Sequence, residues 1–229
     1  MKEKIKLLLR TYPILLDIVA LVYSLVFSPS YWRYLFNPAV QCRGVFLYKT
    51  RIRICGKGCR ISIGRTSKLV KCKLLLLSDN CEIYLKSGGV KNTSFYLEDS
   101  GSKIFIGNGF TMEGGHIAST EGEHIIIGDD CMFSGDVEIR NGDSHAILNF
   151  NTKRRINWAT TVTIGNHVWL TAHVRVLKGC TIADNCIIGN SAIATGYLCE
   201  SNSIYGGSPI RLLKKEVEWN RSRYDFNKP

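Results

Sequence analysis

An aliphatic side chain recurs at every sixth position in the C-terminal half of the chain, and this spacing constrains the fold more than any other feature. The run is unbroken through six hexapeptides, at Ile164, Leu170, Val176, Ile182, Ile188 and Ala194. Small or β-branched apolar residues follow four positions after the first five, at Val168, Val174, Cys180, Cys186 and Ala192. A helix face recurs every three to four residues and a strand face every two, so neither accounts for a period of six.

A triangular prism does account for it. If each hexapeptide forms one short strand and one corner, three of them close a coil of about 18 residues, and the coils stack into a parallel β-helix. The same pattern recurs upstream, at Ile106, Met112 and Ala118 and again at Ile127, Phe133 and Ile139. We therefore predict an all-β fold over residues 44–213, with looser coils between residues 44 and 100.

Two intervals in the pattern are longer than one coil. The interval from Ile106 to Ile127 is 21 residues, which predicts a small loop between them. The interval from Ile139 to Ile164 is 25 residues, one coil plus seven. This excess predicts a protruding loop at about residues 145–161, where side chains can leave the prism and face a groove.

The charge of the chain is concentrated at one end. Residues 1–77 hold 15 basic and 2 acidic side chains, whereas residues 78–229 hold 15 basic and 17 acidic ones. The net charges are therefore +13 and −2. Because the basic part lacks a recognised nucleic-acid-reading motif, we expect no nucleic-acid partner. The 45% hydrophobic content excludes wholesale disorder and a polytopic membrane protein.

Residues 1–43 have the composition of a basic and apolar helical segment. Four basic residues, Lys2, Lys4, Lys6 and Arg10, precede an apolar stretch at residues 12–27 that contains Pro13 and Asp17. An aromatic cluster follows, at Tyr31, Trp32, Tyr34 and Phe36. The bulky residues after Phe27 argue against signal-peptide cleavage, and the central carboxylate argues against a membrane span. Two interpretations stay open: a helix lying on the membrane interface, and a helix packed on the main domain.

The nine cysteines show no doubled CxxC spacing, so we expect reduced thiols rather than a zinc site. Cys131, Cys180 and Cys186 fall at positions of the repeat that require small apolar side chains. Reduced cysteines favour the cytosol.

Three segments resemble the left-handed β-helix hexapeptide acyltransferases, and within them the sugar and polysaccharide O-acetyltransferases. Residues 164–191 are similar to the most recognisable stretch of the family, residues 142–147 to the segment that carries its catalytic histidine, and residues 207–214 to its closing Gly-x-Pro turn. The resemblance implies a left-handed coil, an acetyl-CoA donor without a metal, and a homotrimer in which a second subunit completes each site. We expect a C-terminal tail at residues 214–229 with a short helix.

The resemblance implies that His145 is the general base of acetyl transfer, because an imidazole can accept the proton of the acceptor hydroxyl near neutral pH. It also places Trp169, at an outward position of its hexapeptide, beside the acetyl group. The remaining contacts to the coenzyme A donor map onto Asp143, Ser144, Ala172, Lys178, Asn190, Thr195, Arg211 and Lys214. Asn190 and Gly196 depart from the family pattern, which has a small residue and a lysine there.

Two further groups of residues have side chains that suit ligand binding. The basic loop residues Lys153, Arg154 and Arg155 suit an acidic sugar such as a sialic or uronic acid, and a solvated basic loop is the alternative. Some β-helix trimers bind zinc through three histidines. The histidines to weigh against that pattern are His116, His124, His167 and His173. Because His167 and His173 lie one hexapeptide apart, we expect them on different faces and predict no shared metal.

The leading hypothesis is an acetyl-CoA-dependent O-acetyltransferase that modifies a bacterial surface polysaccharide or its precursor. It would act in the cytosol, where its donor is found, and the interfacial interpretation of its basic end would place it against the anionic inner membrane. Two alternatives stay open: N-acetylation of an amino sugar nucleotide, and a non-catalytic β-helix scaffold.

Overall fold

Three sheets form the faces of a triangular prism in the computed structural model, which describes residues 13–222. Face 1 consists of the parallel strands β1 (Val40–Gln41), β4 (Arg60–Ile63), β7 (Glu82–Leu85), β10 (Lys103–Ile106), β13 (His124–Ile127), β16 (Val162–Ile164), β19 (Thr181–Ile182) and β22 (Tyr197–Leu198). Face 2 consists of β2 (Phe46–Tyr48), β5 (Lys68–Val70), β8 (Gly88–Lys91), β11 (Phe110–Met112), β14 (Met132–Phe133), β17 (Trp169–Leu170), β20 (Ile187–Ile188), β23 (Ile204–Gly206) and the antiparallel β24 (Arg211–Lys214). Face 3 consists of the parallel strands β3 (Arg51–Ile54), β6 (Lys73–Leu76), β9 (Thr93–Leu97), β12 (Gly115–Ser119), β15 (Val137–Arg140), β18 (Arg175–Val176) and β21 (Ile193–Ala194).

The chain visits the three faces in turn, so each coil contributes one strand to each face and the predicted parallel β-helix is confirmed. Equivalent residues stack in register from coil to coil, as Ile106 does on Ile127 and Ile127 on Ile164. The six aliphatic residues from Ile164 to Ala194 are all at most 1% exposed. The interior is thus a column of inward side chains, and its burial is the main force that closes the prism.

The inward position of β12 differs from the prediction by one residue. Ile117, rather than Ala118, is fully buried and pairs in register with Ile139. The same five-residue interval separates the inward residues of the two preceding coils, from Leu69 to Leu74 and from Val90 to Phe95. In this coil the corner contains Gly115, where a Cβ atom would lie 1.9 Å from the carbonyl oxygen of Val137. The small loop predicted before Ile127 is a turn at residues 120–123.

The interior thiols follow the prediction. Cys131, Cys180 and Cys186 are fully buried, and no cysteine of residues 13–222 forms a disulfide. Burial raises the pKa of both Cys131 and Cys180 to about 12, so these side chains are protonated and behave as small apolar groups.

The helix α1 (Pro13–Phe27) packs over the first coil, and a short 3-10 helix (Pro29–Tyr34) follows it. Ser24 joins the helix to β2, because its hydroxyl donates to the carbonyl of Val45 at 2.9 Å and accepts from the amide of Leu47 at 3.0 Å. One face of the helix therefore packs on the main domain, as the second interpretation predicts. Within the described residues, no helix is long and apolar enough to cross a membrane. The four basic residues that precede residue 12 lie outside the described range.

The C-terminal end differs from the prediction of a short helix. Arg211–Lys214 forms the exposed strand β24, which pairs antiparallel with β23, and residues 215–222 contain no helix. By pairing with β23, the strand β24 forms hydrogen bonds with backbone groups that would otherwise lack partners at the end of face 2. The remainder of the predicted tail, residues 223–229, lies outside the described residues.

Candidate active site at the base of a protruding loop

The chain leaves the prism between β15 and β16, at the corner where face 3 meets face 1. This excursion, residues 141–161, is a hairpin: Leu148 pairs antiparallel with Arg155, and the amide of Ile156 donates to the carbonyl of Ile147 at 2.9 Å. The predicted protruding loop is therefore present. His145 lies at its base with an exposed side chain.

The backbone of His145 is held by a buried amide side chain. The Nδ2 of Asn157 donates to the carbonyl of His145 at 2.7 Å and to the carboxylate of Asp143 at 2.9 Å. Lys178, one coil further on, forms an ion pair with the same carboxylate. Hydrogen bonds from Lys178 and Asn157 hold the pKa of Asp143 below its ordinary value, so it is a carboxylate at neutral pH.

The imidazole of His145 makes no hydrogen bond within residues 13–222. Its backbone is fixed while its ring remains available to an external group. This combination suits a proton-transfer residue, because the ring can meet a substrate without first breaking a contact of its own.

Arg155 gives the loop a second attachment to the prism. Its guanidinium forms an ion pair with Glu121, donates to the side chain of Asn157 at 3.2 Å, and lies 4.5 Å from the ring centroid of Trp158. Glu121 also accepts from the amide of Ala159 at 3.0 Å. The Arg155 side chain is only 19% exposed and is directed toward the loop base.

The other two predicted substrate residues lie at the tip of the loop. Lys153 and Arg154 are exposed, and the ammonium of Lys153 lies 4.5 Å from the ring centroid of Phe150. The tip therefore presents two positive charges beside an exposed aromatic ring, while Arg155 is engaged elsewhere.

Trp169 occupies the outward position of β17 on face 2, as predicted, whereas its neighbour Leu170 points into the core. Its indole Nε1 donates to the hydroxyl of Ser134 at 3.4 Å. The ring lies 6.0 Å from that of Trp219, which belongs to the C-terminal segment.

Eight of the predicted site residues fall into two groups on different sides of the prism. The first, which we call the histidine half-site, lies at the corner between faces 3 and 1 and consists of Asp143, Ser144, His145, Lys178 and Thr195. The second, the tryptophan half-site, lies on face 2 and the corner after it and consists of Trp169, Ala172 and Asn190. Because face 2 is opposite the first corner, the apolar core separates the two half-sites within one chain.

Comparison with known proteins decides the family. A polysialic acid O-acetyltransferase of Neisseria meningitidis is 32% identical over 176 residues, which cover 76% of this chain and 81% of that protein. The chain belongs to the left-handed β-helix hexapeptide-repeat acyltransferase family. Because its relatives are named acetyltransferases, the chain is an acyltransferase enzyme.

Further relatives agree with this family. A polysialic acid O-acetyltransferase of Escherichia coli O1:K1 is 34% identical over 122 residues, 53% of this chain but only 39% of that longer protein. The crystal structure of the polysialic acid O-acetyltransferase OatWY superposes with a TM-score of 0.62 at 29% identity, covering 80% of this chain and 93% of that one. No family model matches the sequence.

The two basic residues predicted to meet the phosphates of the donor lie on β24. Arg211 pairs with Gly206 and Lys214 with Ile204, so both extend the end of face 2, the face that carries Trp169. Both are exposed, and neither forms an ion pair within the described residues. They are therefore available to an anionic group next to the tryptophan half-site.

The histidines considered for a metal lie apart from one another. The Nδ1 of His167 is hydrogen-bonded to the carboxylate of Asp130 at 2.7 Å, and the Nδ1 of His173 to that of Asp136 at 2.8 Å. The two pairs lie at different corners of the prism. His116 is on β12 of face 3 and His124 on β13 of face 1. Over residues 13–222, no cluster of three potential metal ligands is present.

The C-terminal segment contributes residues that the repeat did not predict. Trp219 stacks on His167 with ring centroids 4.0 Å apart, and its indole donates to the His167 carbonyl at 2.8 Å. Arg221 donates to the carboxylate of Asp130 at 2.8 Å. Burial acts to raise the pKa of Asp130, but the hydrogen bonds from Arg221 and His167 outweigh it and lower the pKa. In the sequence, only the presence of Trp219 in an otherwise polar tail indicates that this segment packs on the prism.

The attachment of the loop to Glu121 can be tested by limited proteolysis. Glu121→Gln removes the charge that holds Arg155, so we expect trypsin to cleave after Lys153 and Arg154 at least about threefold faster, because local opening becomes easier. Glu113→Gln is the matched control, since Glu113 forms an exposed ion pair with Lys91 away from the loop. Equal cleavage rates for the two variants would show that the Arg155 contact does not hold the loop.

Proposed function

We propose that this protein is an acetyl-CoA-dependent O-acetyltransferase that modifies a bacterial surface polysaccharide or its precursor. The observation that carries the proposal is the exposed imidazole of His145, held by its backbone at the loop base in a chain related to polysialic acid O-acetyltransferases. The donor places the reaction in the cytosol, on the inner side of the membrane.

In the proposed reaction, His145 acts as the general base. It takes the proton of the acceptor hydroxyl while the oxygen attacks the thioester carbonyl, and the resulting imidazolium returns that proton to the sulfur as the carbon–sulfur bond breaks. The products are the acetyl ester and free coenzyme A. Asn157 positions the base by holding the carbonyl of His145, and Lys178 keeps Asp143 ionised as the second acceptor of that amide.

The donor is proposed to lie along the tryptophan half-site. The corners at Ala172 and Asn190 are stacked one coil apart, where the amide of Ser191 donates to the carbonyl of Ala172 at 3.0 Å. A pantetheine arm fits such a corner groove, and the exposed charges of Arg211 and Lys214 suit its phosphates. Thr195, at the opposite corner, would contact the donor held by a neighbouring chain.

The separation of the two half-sites supports assembly into a homotrimer. One chain cannot bring His145 next to Trp169, because its own core lies between them. A site formed by the histidine half-site of one subunit and the tryptophan half-site of the next would contain both.

The acceptor is proposed to be an acidic glycan. Lys153 and Arg154 present two exposed positive charges at the loop tip, and the exposed ring of Phe150 can pack against the apolar face of a sugar. Arg155, because it is bound to Glu121, is proposed to support the loop rather than to contact the acceptor.

The proposal is tested by the release of free thiol from acetyl-CoA in the presence of a panel of glycans. We expect release with polymers of sialic or uronic acid and little with a neutral glucan. The acetylated product should lose its acetyl group in mild alkali, as an ester does and an amide does not, which separates O-acetylation from N-acetylation. The absence of glycan-dependent thiol release with every acceptor would contradict the enzymatic role.

A further inference from the structure

The outer face of α1 is apolar along its whole length. Leu16, Ala20 and Ser24 point toward the first coil. The opposite face carries four aliphatic residues spaced by four positions, Ile14, Ile18, Val22 and Val26, whose side chains are between 53% and 75% exposed. Single exposed apolar residues are common on proteins, whereas a contiguous patch of this kind indicates a surface that another apolar phase covers.

Two exposed aromatic residues extend this patch beyond the helix. Trp32 is 60% exposed and Phe36 is 93% exposed. The indole Nε1 of Trp32 donates to the carbonyl of Leu25 at 3.0 Å, so the ring is fixed next to the helix end. Aromatic side chains of this kind are enriched where a bilayer meets water.

The residues in contact with α1 include basic ones: Arg43 and Arg65 lie against Asp17 on the helix, and the amide of Lys49 donates to the carbonyl of Phe27 at 2.8 Å. The described residues up to 77 contain eleven basic side chains, all exposed: Arg33, Arg43, Lys49, Arg51, Arg53, Lys57, Arg60, Arg65, Lys68, Lys71 and Lys73. Their only acidic residue is Asp17, whose carboxylate lies 3.1 Å from Arg43 and 2.8 Å from Arg65. This end of the described chain therefore carries a net charge of +10, and its single carboxylate is already paired.

We propose that this end of the protein binds the surface of an anionic lipid bilayer, with α1 lying in the plane of the interface. The aliphatic face would enter the boundary of the acyl chains, Trp32 and Phe36 would anchor it, and the basic side chains would contact the headgroups. The described part of the helix has 15 residues and is about 22 Å long, shorter than the roughly 30 Å hydrocarbon core, and its inner face is already packed on the first coil.

The charges favour lipid over a second copy of the chain as the occupant. Two copies that met through this patch would bring two strongly basic surfaces together, and like charges oppose such an association. An anionic bilayer satisfies the apolar face and the basic surroundings at once. The inference is independent of the proposed catalytic role, since none of its residues belongs to either half-site.

Vesicle flotation with the full chain tests the inference. We expect binding to vesicles of phosphatidylcholine with 30% phosphatidylglycerol, and at least about tenfold weaker binding to phosphatidylcholine alone or at high salt. Val22→Glu, which adds a charge to the exposed face, should reduce binding to the anionic vesicles at least about tenfold, and Trp32→Ala should reduce it less. His145→Ala should bind like the wild type, which separates this result from any failure of catalysis.

Ile126→Glu is the matched control, because it adds the same charge to an exposed aliphatic position on face 1. It should leave vesicle binding unchanged, and thermal unfolding should show that all variants fold. Equal binding of wild type and Val22→Glu to anionic vesicles would overturn the inference. So would an association without vesicles, seen by analytical ultracentrifugation, that Val22→Glu abolishes, because the patch would then bind a second copy.

Discussion

Replacing His145 with alanine is expected to lower kcat for acetyl transfer by about 10²- to 10⁴-fold, the usual contribution of a general base. Stability should not change, because the imidazole is exposed and makes no hydrogen bond within residues 13–222. The carbonyl of residue 145 can still accept from Asn157, so the loop base should keep its shape. The measurement is steady-state thiol release at saturating donor and acceptor, together with the midpoint of thermal unfolding.

His116→Ala is the control for this variant. His116 is a partly buried histidine on β12 of face 3 and is not part of either half-site. Its replacement should leave kcat within about threefold of the wild type. Added imidazole should restore part of the activity of His145→Ala and should leave the activity of the control unchanged. A kcat of His145→Ala close to that of the wild type would exclude His145 as the base.

Ile127→Ala is expected to lower the free energy of unfolding by about 2–5 kcal/mol, whereas Ile126→Ala should change it by less than about 1 kcal/mol. The two residues are neighbours on β13 and have the same side chain. Ile127 is 2% exposed and stacks between Ile106 and Ile164 in the interior column, while Ile126 is 39% exposed on the outside of face 1. Removing the side chain of Ile127 leaves a cavity in the core between Ile106 and Ile164.

Urea unfolding followed by circular dichroism measures both effects, and the pair serves as its own control for strand propensity. The wild type and both variants are compared at one protein concentration, because the proposed assembly would make apparent stability depend on concentration. Equal losses at the two positions would contradict the assignment of inward and outward residues, and with it the coil register on which the placement of His145 depends.

Periodicity was sufficient to predict the coils because each inward position has the same physical requirement, a buried aliphatic side chain. The loop that carries His145 was predicted for the complementary reason, since seven extra residues cannot fit into a coil. The error at Ala118 arose because the corner between faces 2 and 3 is one residue shorter in the N-terminal coils, where Leu69 and Leu74, like Val90 and Phe95, are five residues apart. Spacing alone does not report how sharply a corner turns.

Contacts between residues far apart in sequence were not predictable from the repeat. Arg155 reaches Glu121 in the preceding coil, and Arg221 reaches Asp130 across 91 positions. The strand at Arg211–Lys214 depends on the free edge left by the last coil, which sequence composition does not show. Likewise, the two half-sites follow the phase of the repeat, but their separation is evident only once the faces are assembled.

Subunit complementation tests the central claim, that each site combines His145 of one subunit with Trp169 of its neighbour. His145→Ala and Trp169→Ala, each at least about tenfold less active alone, are coexpressed with different affinity tags, and mixed trimers are purified on both tags. In any mixed trimer one of the three sites has both groups intact, so the account predicts about one third of wild-type activity. Activity no higher than that of either single variant, in trimers shown to contain both chains, would contradict the account.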